Sequence, residues 1–133
     1  MTDKTPLLIT NNRSCVSALA GRYDCLFDEG WNYGRVLREA RDKVHQGYVL
    51  ISHPLCGSLK PNQTPYKSLL LSKRSTDVQE TYTSVVLIEQ AIADYEKFRD
   101  MHPAPAWSCQ VLQDFRTVDL SFMQSVTDKL QLI

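Results

Sequence analysis

No apolar run in this chain approaches the roughly 18 residues that a membrane-spanning helix needs. The amino terminus, MTDKTPLLITNN, has an apolar core of only Leu7, Leu8 and Ile9, far short of a secretory signal. A cytoplasmic location with no membrane partner is therefore expected. Cysteine is sparse and scattered: Cys15, Cys25, Cys56 and Cys109 form no C-x-x-C pair and match no zinc spacing. In a reducing compartment they are expected as free thiols, with no disulfide and no metal. An excess of charge of either sign is also missing, since 15 basic residues face 15 acidic ones. No overall field draws the chain to nucleic acid, and none is expected as a partner. Neither G-x-x-x-x-G-K-[ST] nor G-x-G-x-x-G occurs, and there is no internal repeat, so no cofactor is expected.

What is present is an ordinary globular composition, 43% hydrophobic and 23% charged in 133 residues, the size of one domain spanning 1–133. Pro6–Thr10 reads as a strand ended by the turn-forming pair Asn11 and Asn12. A short helix from Arg13 to Gly21 and a second strand over Tyr23–Phe27 follow. Between Trp31 and Gln46, the residues Tyr33, Val36, Leu37, Ala40 and Val44 recur at helical spacing, and Gly47 supplies the stop. Tyr48–Ser52 is continuously apolar over most of its length, which suggests a central strand covered on both faces. After the long connection HPLCGSLKPNQTP comes a further strand, Tyr66–Ser72. Asp77 then caps a long helix in which Val78, Tyr82, Val85, Ile88, Ile92, Tyr95 and Phe98 recur, ending near Met101. The tail divides into an irregular piece with Trp107, a turn over Gln110–Phe115 and a final helix after Asp119. Strands alternating with helices predict an α/β fold: three layers, α/β/α, around a mainly parallel sheet of about four strands.

In open parallel sheets, ligands settle beyond the carboxyl ends of the strands. Two turns qualify: Thr10-Asn11-Asn12-Arg13-Ser14 after the first strand and Ser52-His53-Pro54-Leu55-Cys56-Gly57-Ser58 after the Tyr48 strand, which share one rim if those strands are parallel neighbours. The second turn offers Gly57 for close backbone approach and Ser58, Lys60, Asn62, Thr64 and Lys67 as donors, a set suited to phosphate or carboxylate. The plainer reading is a surface connection, which has the same composition. His53 with Cys56 raises a thiol nucleophile, although a cysteine is more often a small buried hydrophobe. Asp28 and Glu29 read as a solvated turn rather than an acid/base pair, His45 and His102 as helix-end residues, and Trp31 and Trp107 as packing residues.

The segments LLITNN and HPLCGSLKPNQTPYKSLLLSK, with VLIS just before the second, resemble the GrdX family. These are small proteins encoded beside glycine reductase genes in amino-acid-fermenting anaerobes. The likeness is strongest from His53 to Lys73, and VLQDFRTVDLSFM near the end is similar in kind. It implies a cytoplasmic accessory protein of a glycine reductase system with no assigned activity, so no catalytic residue carries over. The leading expectation is a non-catalytic module holding an anionic small molecule or a partner protein's acidic segment at the 53–67 loop, with Asn11 and Asn12. The alternative is a small enzyme using His53, the candidate that titrates near neutrality. A third reading makes the Val78–Phe98 helix a homodimer surface.

Overall fold

The computed structural model describes residues 5–54, 64–73, 76–101 and 106–131. Its elements are β1 (Leu7–Thr10), α1 (Arg13–Leu19), β2 (Asp24–Phe27), α2 (Tyr33–His45), β3 (Val49–Leu50), β4 (Ser68–Ser72), α3 (Val78–Met101) and α4 (Cys109–Gln131). The α/β class and four strands agree with the sequence reading, and the local signals explain the boundaries. Asn12 and Asn32 cap α1 and α2, each side-chain oxygen accepting a backbone N–H from the first turn. Gly47, at φ 104°, ends α2 with a paired closure: its N–H donates to Val44 O at 2.9 Å, and the Tyr48 N–H donates to Lys43 O at 3.1 Å. The Asp77 carboxylate accepts from the N–H groups of Gln79 and Glu80, as expected for the cap of α3.

The sheet order is β2-β1-β4-β3. Only β1 and β2 pair in parallel, joined by α1 as the crossover, whereas β4 runs antiparallel to both β1 and β3. The sheet is thus mixed, which corrects the expectation of a mainly parallel one. The physical reason is legible afterwards: a parallel return needs a crossover, usually a helix, and the 53–65 connection carries no helical pattern.

The Tyr48 strand is also corrected, from a central strand to a two-residue edge strand paired only with β4. Its ladder closes early. The N–H groups of Ile51 and Ser52 both donate to Leu70 O, at 2.8 and 3.2 Å, and the Ser52 hydroxyl accepts the Leu70 N–H at 3.0 Å.

A third correction concerns the tail. In place of a turn over Gln110–Phe115, α4 runs unbroken from Cys109 to Gln131. Leu112, Phe115, Asp119, Met123, Val126 and Leu130 step at three and four along it, and the carboxylate in the middle of that stripe disguises the register.

Alternation along β1 and β4 sends their side chains two ways. Leu7, Ile9, Leu69 and Leu71 pack with Val36, Leu37 and Ala40 of α2 and Ile88, Ala91 and Ile92 of α3. Leu8 and Leu70 pack with Cys15 and Leu19 of α1 and Met123 of α4. Tyr33 and Tyr95 stack at 5.6 Å where α2 and α3 cross, and a Cβ on Gly34 would collide with the Tyr95 ring, so this close approach requires glycine.

Candidate functional site

Because β4 is antiparallel to both its neighbours, β1 and β3 point the same way, and their carboxyl ends lie at the edge where β4 begins. They are not adjacent, since β4 separates them. The turn after β1 nevertheless meets the segment entering β4. The Asn11 side chain donates to Trp31 O at 2.8 Å and to Pro65 O at 2.9 Å, and its oxygen accepts the Lys67 N–H at 2.9 Å. One amide thus ties together the β2–α2 connection, the end of β1 and the entry to β4. Lys67 is only 1% exposed, and its ammonium lies 5.6 Å from the centre of the Tyr33 ring, a favourable cation–π arrangement.

Asn12 turns to the opposite face. Besides capping α1, its side-chain amide donates to Arg116 O and to Asp119 Oδ2, both at 3.0 Å. Asp119, 7% exposed, collects further donors there: the Ser68 hydroxyl at 2.6 Å and the Cys15 thiol at 3.5 Å. Behind Ser68 stands Thr10, hydroxyl to hydroxyl at 2.7 Å, and the Asn12 N–H donates to Thr10 Oγ1 at 2.9 Å. With Asp119 accepting, the protons order themselves from Asn12 through Thr10 and Ser68 to the carboxylate, each bond polarising the next. Burial, and then the negative charge of Asp119, push the Cys15 thiol up to about 12. That thiol is inert near neutrality, because the thiolate is the nucleophile. Cys25 is also raised, by burial and by Asp24.

Of the sequence candidates, Asn11, Asn12, Thr64 and Lys67 are buried, and His53 is exposed. Direct hydrogen bonds join Asn11 to the backbone of Lys67 and Pro65. Gly57, Ser58, Lys60 and Asn62, together with Cys56 and His102, lie outside the described residues. The Asp28-Glu29 pair is a turn: Asp28 accepts the Gly30 N–H at 2.8 Å, and Glu29 pairs with Arg13. Cys15, Cys25 and Cys109 are free, and among the described residues no group of His, Cys, Asp or Glu could hold a metal ion. No described helix is long and apolar enough to cross a membrane.

Sequence reasoning missed Asp119 and Arg116 and gave no role to Thr10 and Ser68, although Thr10 lies in the turn after the first strand and Ser68 in the 53–73 stretch of strongest likeness. The available signal was Asp119, a carboxylate on the buried stripe of a helix.

Residues 7–128, spanning both turns, the whole sheet and most of α4, match the family described as GrdX-like protein. The chain belongs to the GrdX-like family. That extent includes the Asp119 cluster. No curated protein and no solved structure matches the chain.

Proposed function

We propose that this GrdX-like chain is a cytoplasmic, non-catalytic accessory module that binds an anionic group at the edge where β1 ends and β4 begins. In this reading the helix pairs cover both faces of the sheet as three layers. The ligand is an anionic small molecule or an acidic segment of a partner in a glycine reductase system. Lys67 carries the proposal: a lysine is almost never fully buried, and here its charge stands where the Asn11 turn and the 64–67 segment join. In low-dielectric surroundings a fixed cation acts on a nearby anion more strongly than it would in water. His53, Gly57, Ser58, Lys60, Asn62 and Thr64 complete the proposed rim with Asn11, Asn12 and Lys67. The enzymatic alternative draws no support from His53, which is exposed, whereas a general base is held against its substrate.

The test is a thermal melt with and without sulfate. Bound anion raises the melting temperature of the native chain by mass action, and Lys60→Ala combined with Lys67→Met reduces that rise and removes the sulfate-dependent amide shifts of 11–12 and 64–67 in NMR. Methionine is the replacement at 67 because it fills the buried volume without the charge. A sulfate response that survives intact in the double variant overturns the proposal. The exposed residues Val78, Tyr82 and Val86, one turn apart along α3, fit a homodimer surface. A monomer in analytical ultracentrifugation would rule that surface out.

A further inference from the structure

Between α1 and α4, on the face of the sheet opposite Tyr33, lies a cleft of about 540 Å³, within the range of small-molecule sites. Arg13, Ser14, Ser17, Glu29, Gln113 and Arg116 line it. The lining holds two guanidinium groups against one carboxylate, with hydroxyl and amide donors between them. None of these residues belongs to the rim proposed above.

The two arginines are positioned by one buried residue. Arg13 follows Asn12 directly in the chain, and the Asn12 amide donates to the backbone oxygen of Arg116 at 3.0 Å. One turn further along α4, Asp119 is fastened to the same amide and to Ser68, so the wall that carries Arg116 is locked to the end of β1. The Arg116 guanidinium is itself oriented: it lies 4.9 Å from the Tyr66 ring centre and donates from Nη1 to Gln113 at 3.1 Å. A guanidinium held in this way loses little freedom when it binds an oxyanion.

Arg13 differs. It makes a two-pronged contact with Glu29 through Nε and Nη2, in a pair whose side chains are 68% and 51% exposed. A surface pair of this kind is weak, so an anion of higher charge competes for the same fork while Glu29 returns to water.

We propose that this cleft binds a phosphate-type oxyanion, with Arg13 and Arg116 as its charged donors and Glu29 as the internal competitor that the ligand displaces. Phosphate fits better than a carboxylate because its charge at neutral pH, about −1.5 to −2, suits two guanidinium groups, and its tetrahedral oxygens can engage donors arriving from two helices.

The test is a phosphate titration of the full chain followed by amide chemical shifts in NMR. Inorganic phosphate is expected to bind in the millimolar range or tighter, moving the amides of 13–18 and 113–117 together, with acetate at least about tenfold weaker. Arg116→Gln is expected to weaken binding by about tenfold or more, and Arg13→Gln with Arg116→Gln to abolish it. Glu29→Gln frees Arg13 and is expected to tighten binding several-fold, a gain that a merely disturbed fold would not produce. Lys60→Ala with Lys67→Met should leave these shifts in place, which separates this site from the rim. Phosphate shifts that persist in the double arginine variant, acetate binding equal to phosphate, or no response in the cleft amides would each overturn the proposal.

Discussion

On the face of the sheet formed by Leu7, Ile9, Leu69 and Leu71, α2 and α3 are held almost wholly by apolar side chains. On the other face, α1 and α4 share a smaller apolar cluster around Leu8, Leu70 and Met123, and the end nearest the β1 turn is closed by Thr10, Asn12, Cys15, Ser68 and Asp119. Apolar burial is non-directional and tolerates small shifts, whereas a buried carboxylate is tolerated only with its donors in place. The difference teaches that α2 and α3 are attached by area and α4 by position. A helix attached by position can hold Arg116 at a defined place beside the turn.

The strongest challenge to this contrast is a charge placed in the apolar face. Ile88 is fully buried between α3 and the sheet, so Ile88→Asp is expected to cost about 4 kcal/mol or more, read by denaturant unfolding. Asp119→Ala should cost somewhat less, about 3 kcal/mol, because it leaves the Asn12 amide and the Ser68 hydroxyl buried without their acceptor. It should also loosen α4 selectively, seen as faster amide exchange in 109–120 than in α3. Uniform exchange across both helices would erase the distinction between the two faces.

A smaller effect per pH unit is the pH dependence due to Cys15. Its folded-state value of about 12 lies above the ordinary 9.0, so the folded chain holds this proton longer than the unfolded one. The contribution is complete below pH 9.0 and is lost as the pH rises from there toward about 12, at up to about 1.4 kcal/mol per pH unit. In Cys15→Ser the alkaline decline of stability in that window should be shallower, and an identical slope would show that the thiol is not held neutral. Smallest of all is Glu89→Ala. Glu89 meets His45 at 3.2 Å and Arg41 at 4.0 Å on the surface of the apolar face, and its loss should cost less than about 1 kcal/mol. A loss comparable to that of Ile88→Asp would mean that α3 sits in a different register.

The residues alone determined the local elements. Asn32 and Gly47 bracket α2, Asp77 starts α3, and the Leu7–Thr10 run was legible as a strand, because caps, turn residues and apolar periodicity act between neighbours in the chain. The likeness to the GrdX-like family was legible for the same reason, carried by contiguous segments such as LLITNN and the 53–73 stretch. Only the tertiary structure decided how the elements are arranged: that β4 enters between β1 and β3, that the Tyr48 strand is an edge, and that Asp119 completes a cluster with residues more than a hundred positions away. It also decided that Asn12 fastens Arg116 beside Arg13 while Asn11 fastens the entry to β4. Strand direction and the pairing of distant polar groups depend on which surfaces are left to bury once the local elements exist. That choice is made by loop closure and packing over long separations, and no short window of sequence records it.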